Sequence, residues 1–178
     1  MSGHLSWLAA GAMGLAGIAF ATLADPMPRY VWNGSASVAR GLYRIEPCPC
    51  ERGDLVLARL SGWAERMAVK RRYLPEDTPV LKRVVAAEGD EICRMGSDLR
   101  INGALVVTAN SHDSYGHPMP VWSGCHALSE TEILLLADHP GSFDGRYFGP
   151  IESSQIIGCS VAVWTFDEAV SAVAGEGS

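Results

Sequence analysis

The chain has 178 residues, enough for one domain with a sizeable core. Fourteen Lys and Arg stand against 20 Asp and Glu, and the net charge of −6 argues against nucleic acid as a partner. With 48% apolar and 19% charged residues, the composition excludes a disordered chain.

Residues 5–24, LSWLAAGAMGLAGIAFATLA, carry no charge. At about 1.5 Å per residue they would span roughly 30 Å, the thickness of a hydrocarbon core. A buried core helix would show polar residues on one face, which this run does not. Ala19-Phe20-Ala21 fits a small-x-small cleavage site, which leaves a removable signal open; no Lys or Arg precedes the run, so the basic start of such a signal is missing. Either reading carries the rest of the chain across a membrane, and a transmembrane anchor is the expectation. Asp25-Pro26-Met27-Pro28 ends the helix.

Beyond it the pattern is mainly β. Residues 54–60 read as a strand. Residues 61–73 read as a helix, with Trp63 and Met67 at i, i+4 and a basic end at Lys70, Arg71 and Arg72. Residues 80–87 form a strand, and residues 98–107 a hairpin turning at Asn102-Gly103. The polar, turn-rich residues 108–130 read as one long surface loop, and residues 132–137 and 155–165 as strands. Many short strands separated by turns favour a β-barrel or sandwich domain over residues 30–167. Residues 168–178 lack pattern and read as a flexible tail. Of the five cysteines, Cys48, Cys50, Cys93, Cys125 and Cys159, some are expected in disulfides if the domain is exported, and the odd count leaves one over.

Two residues carry a chemical signal. Ser37 sits among small residues in Asn33-Gly34-Ser35-Ala36-Ser37, which permit tight turns and close approach by a substrate. A serine hydroxyl is a weak nucleophile until a base takes its proton; the same string also fits an ordinary turn, and Asn33-Gly34-Ser35 matches a glycosylation sequon. Lys82 lies in Val80-Leu81-Lys82-Arg83-Val84-Val85, where period-two alternation puts Val80, Lys82 and Val84 on one face and Arg83 on the other. On an apolar face the lysine loses hydration of its charged form, its pKa falls, and the neutral amine can act as general base. An edge-strand lysine reaching out to solvent is the alternative.

Together with two further segments these runs resemble the signal peptidase I family. Ser37-Val38-Ala39-Arg40-Gly41-Leu42-Tyr43 resembles its serine box, with Ala39 where the family usually has proline. Gly53-Asp54-Leu55-Val56 resembles the short box that follows, and Val80 to Asp90 the lysine box. Asp138-His139-Pro140-Gly141-Ser142-Phe143-Asp144-Gly145-Arg146 resembles the last box, with its Ser-x-Asp-x-Arg core. The run from Asp113 to Pro120 and then Trp122-Ser123-Gly124 looks more like the TraF branch from conjugative plasmids.

The resemblance implies a Ser/Lys serine endopeptidase with Ser37 as nucleophile and Lys82 as base. The Ser37 N–H and the Ser35 hydroxyl would form the oxyanion hole. Ser142 would orient the Lys82 amine, and Asp144 would pair with Arg146, a direct contact of Asp144 with Lys82 being the other option. It implies no cofactor or metal. The implied substrates are exported precursors such as a pilin propeptide, cut by hydrolysis or with cyclisation. The implied partners are conjugative transfer (type IV secretion) components. The implied location is the bacterial inner membrane with a periplasmic catalytic domain, or the periplasm if residues 5–24 are removed. A general signal peptidase and a non-catalytic assembly protein of the transfer apparatus are the alternatives within the fold. Outside it stand a Ser-His-Asp hydrolase using His112, His117, His126 or His139, and a metal site built from Cys48, Cys50, Cys125 and His126.

Overall fold

A computed structural model describes residues 11–15, 28–47 and 49–166. Residues 11–15 are helical. The rest of the expected membrane segment 5–24 and the expected tail 168–178 lie outside the described residues. Among the described residues no helix is long and apolar enough to cross a membrane.

Eleven strands follow in chain order: β1 Tyr30–Asn33, β2 Gly41–Glu46, β3 Leu55–Ala58, β4 Val80–Ala86, β5 Glu91–Met95, β6 Asp98–Ile101, β7 Ala104–Thr108, β8 Gly124–Ala127, β9 Glu132–Leu136, β10 Ile151–Glu152 and β11 Ile156–Thr165. Seven form one sheet in the order β1-β2-β11-β3-β4-β9-β10, and four form a second in the order β7-β6-β5-β8. The fold is mainly β, as the alternating patterns required.

That alternation also builds the core. From β3 and β4, Val56, Ala58, Val80 and Val84 enter one apolar cluster, where Ile133 and Leu135 of β9 and Ala68 join them. The intervening Leu57 and Leu81 enter another cluster with Val38, Tyr43 and Ile45. Leu134 and Leu136 face the second sheet, against Ile92, Leu99 and Ile101. Strand β9 is therefore apolar on both faces and cements the two sheets; Leu134 and Leu135 are fully buried, each contributing roughly 1.5–3 kcal/mol.

The hairpin β6–β7 turns at Asn102 and Gly103, with φ of 51° and 83°, the left-handed pair that a two-residue turn demands. The helix expected over 61–73 spans Gly62–Lys70. Its buried face is Ala64 and Ala68, not Trp63 and Met67; Trp63 is 46% exposed. Two small residues let the helix lie close to the sheet, which rotates the larger side chains outward. The stretch 108–130 is not one loop. It contains a bridge between His112 and Pro118, and β8, which pairs with β5. Cys93 and Cys125 face each other across that pair and are disulfide-bonded. Cys159 is disulfide-bonded as well.

Candidate active site

Ser37 lies in the connection between β1 and β2. That connection is shaped by Asn33, the last residue of β1, whose side chain is buried and donates to the carbonyls of Ser35, Val38 and Ala39, each at 3.1 Å. Its Oδ1 accepts from the Ser35 N–H at 3.1 Å and from the Ser35 hydroxyl at 2.8 Å. Asparagine suits this task because its short amide mimics a peptide unit and closes local turns. Tyr43 donates its hydroxyl to the Ala39 carbonyl at 2.5 Å. Ala39, which stands where the related family usually has proline, is thus held by two side chains instead of by a ring. Two residues on, Gly41 admits the neighbouring strand: a Cβ there would lie 2.0 Å from the Trp164 carbonyl oxygen.

Lys82 is in β4, opposite Val56 of β3, and is 3% exposed. Burial pushes its pKa down to about 8; Asp144 and Asp138 act to raise it and Arg146 to lower it, but desolvation wins. The snorkelling alternative is thereby corrected: β4 is an interior strand between β3 and β9, and the charged side chain that reaches water is Arg83, on its other face. Arg83 donates to the Gly53 carbonyl at 2.9 Å and lies 3.5 Å from Asp138. Gly53 in turn donates its N–H to the Val84 carbonyl at 2.8 Å, so the short box fixes the strand that bears the lysine.

The last box closes over both. Asp144 is fully buried and caps the short helix Gly145–Phe148. It accepts from the Ala137 N–H at 2.8 Å and from Arg146 Nε at 2.7 Å and Nη2 at 2.9 Å. Arg146 spends its remaining donors on the carbonyls of Pro140 at 2.6 Å, Ala137 at 3.1 Å and His139 at 3.4 Å. A buried ion pair stands only when its other lone pairs and protons are satisfied, and here they are. Asp144 therefore pairs with Arg146, and among the described residues no carboxylate lies within 4.0 Å of Lys82. The loop so fixed donates two amides, Asp138 at 3.1 Å and His139 at 3.4 Å, to the Ser37 carbonyl. Ser142 meets Ser37 and not Lys82: its hydroxyl donates to Ser37 Oγ at 3.1 Å. That differs from the role the resemblance implied, because the loop is pinned to the backbone of the serine segment. The Ser35 hydroxyl here donates to Asn33.

Ser35, Ser37, Lys82, Val80, Tyr73 and Phe143 line one cleft of about 250 Å3. The sequence reading missed Asn33 as more than a sequon match, and missed the aromatic wall of Tyr73 and Phe143, whose rings are 5.5 Å apart. The order Asn-Gly-Ser was the available signal for the first; nothing in sequence brings the two aromatics together. The histidines are engaged elsewhere: His112 with Ser111, His117 with Asp113, His126 with Glu132, and His139 with the Gly141 N–H. Cys125 is tied to Cys93 and offers no thiolate to a metal.

The chain is similar to known proteins. The family model described as "Signal peptidase, peptidase S26" matches residues 4–165. A plasmid transfer protein TraF of Escherichia coli is 35% identical over 162 residues, covering 88% of each chain. A conjugal transfer protein TraF of Agrobacterium fabrum is 30% identical over 169 residues, covering 87% of this chain and 94% of that one. A crystal structure of a signal peptidase I from Enterococcus faecalis overlaps at a TM-score of 0.39 and 18% identity, covering 64% of this chain and 98% of that one. The chain thus belongs to the signal peptidase S26 family, a family of serine peptidases, and is TraF-like within it.

Proposed function

We propose that the chain is a Ser/Lys endopeptidase that cleaves an exported precursor, such as a pilin propeptide, for a conjugative transfer apparatus. The carrying observation is that Ser37 and a buried Lys82 with a pKa near 8 line the same cleft. At pH 7.5 such an amine is neutral in about a quarter of molecules, against about one in a thousand at an ordinary lysine pKa. The names of the TraF relatives support the conjugative role, and they and the uncharged residues 5–24 support an inner-membrane protein with a periplasmic catalytic domain.

In this mechanism the neutral Lys82 amine takes the Ser37 proton as Oγ attacks the scissile carbonyl. Ser142, which donates to Ser37 Oγ, leaves that proton free for the lysine and stabilises charge developing on the oxygen. The tetrahedral oxyanion is met by the Ser37 N–H and by the Ser35 hydroxyl, once the latter turns from Asn33. The Lys82 ammonium then protonates the departing amine, and an ester to Ser37 remains. Water, deprotonated by the again neutral Lys82, hydrolyses the ester, or an amine of the same substrate attacks the acyl carbon, forms the ring-closing amide and returns the proton to Ser37 Oγ as the ester bond breaks.

Co-expression with a candidate pilin precursor tests this. Ser37→Ala and Lys82→Ala should each abolish processing while the protein still folds. Full processing by Lys82→Ala would overturn the Ser/Lys reading. A product one water heavier than the ring would remove cyclisation and leave hydrolysis.

A further inference from the structure

A second concavity, of about 960 Å3, opens beside the C-terminal end of the helix Gly62–Lys70. Arg66, Lys70, Arg71 and Arg72 line it from one side, and Tyr115 and His117 from the other. Among the described residues no carboxylate lines it. The nearby Asp113 is turned inward, its side chain 7% exposed. It accepts from the Tyr73 hydroxyl, from the N–H groups of Tyr115 and His117 at 2.9 Å each, and from His117 Nδ1 at 3.0 Å. Arg71 donates to the Pro118 carbonyl at 3.0 Å and lies 3.7 Å from Asp113. Arg66, Lys70 and Arg72 pair with no carboxylate within 4.0 Å among the described residues.

The helix end offsets part of the cost of this grouping: the Arg72 and Tyr73 N–H groups cap the carbonyls of Val69 at 3.0 Å and Ala68 at 2.8 Å, and cations suit a helix C-terminus. Like charges at i, i+4, as in Arg66 and Lys70, repel by a few tenths of a kcal/mol. Arg72 holds φ at +58°, where a non-glycine residue costs about 1 kcal/mol. Concentrated positive charge in a concave wall of a chain of net charge −6 is a binding feature for an anion, and the arginine fork suits carboxylates. Its position names the anion's carrier. Tyr73, the residue after Arg72, lines the Ser37–Lys82 cleft, and an extended peptide advances only about 3.3 Å per residue.

We propose that this concavity binds an acidic stretch of the same polypeptide whose scissile bond lies in the cleft, a few residues away. The proposal rests on the peptidase reading but is tested without cleavage. The full chain carrying Ser37→Ala, in detergent, is titrated with a fluorescent peptide rich in Ala and Glu and with its Gln counterpart. The Glu peptide should bind about tenfold more tightly at about 50 mM salt, and that preference should shrink at about 500 mM. Arg66→Glu with Arg72→Glu, both exposed positions, should erase the preference with the circular dichroism spectrum unchanged. Equal affinity for the two peptides, or a preference that survives charge reversal, overturns the proposal. So does charge-reversal-sensitive binding of phosphatidylglycerol vesicles without binding of the Glu peptide. Peptide preference with no processing by wild type would instead sink the peptidase reading alone.

Discussion

Lys82 holds a single amine in a place where water would otherwise solvate it. Two consequences separate its chemistry from its cost. A base must be neutral to accept a proton, so kcat/KM should climb with pH and level off above about 8, the pKa that burial imposes. A flat profile from pH 6 to 9 would count against lysine as base. The folding side has its own sign. The folded pKa lies below the unfolded one, so between about 8 and 10.5 the unfolded chain binds more protons and stability rises with pH. Below that window the burial penalty is fully present. Lys82→Met should therefore raise the urea midpoint at pH 7, by roughly 1–3 kcal/mol in stability, and the gain should fade by pH 10.5. A destabilised variant at pH 7 would show that the lysine is held by favourable contacts instead.

At the scale of elements, the short helix Gly145–Phe148 is seated by what its first residue lacks. A Cβ on Gly145 would lie 2.7 Å from Leu134 Cδ1 and 2.7 Å from the Leu135 carbonyl oxygen of β9. The side chain can yield, but the backbone oxygen belongs to a paired strand and does not. Gly145→Ala should push the helix away from β9, with Asp144 and Arg146 going with it. The expected results are a loss of roughly 1–3 kcal/mol in urea unfolding and a large fall in precursor turnover. A stable, fully active variant would mean that the last box tolerates displacement. Gly141, by contrast, meets only the His139 ring, at 3.1 Å, which can swing.

Across the whole molecule, Arg94 joins the four-stranded sheet to the last box. It is 3% exposed in β5 and donates to the Gly96 carbonyl at 2.7 Å and to the carbonyl of Arg146 in the last box. Arg94→Met would remove the donor to the buried Arg146 carbonyl, at about 1–3 kcal/mol. Amide exchange over residues 137–146 should quicken, and unchanged protection there would show that the second sheet does not brace the site.

The same scale explains what was legible from sequence. Lys82 could be read because alternation along β4 fixes its face; the pairing of Asp144 with Arg146 comes only from the resemblance of the last box, since spacing alone leaves a contact with Lys82 open. The partner of Ser142 could not be read, since a contact across 105 positions depends on how the loop docks. Strand β8 was hidden because all four of its residues are exposed and it carries no alternation. The buried face of Gly62–Lys70 was not read, because Ala64 and Ala68 signal packing less loudly than the pair Trp63 and Met67.

One topological fact sets the order of events during biosynthesis. The serine-bearing pair β1–β2 and the lysine-bearing pair β3–β4 are not bonded to each other; β11, the last strand, lies between them. A nascent chain emerges from its N-terminus, so the two half-sites wait, unjoined by any sheet ladder, until residues 156–165 arrive. In the proposed peptidase, the ladder that ties the Ser37 half to the Lys82 half is thus completed only by the closing strand.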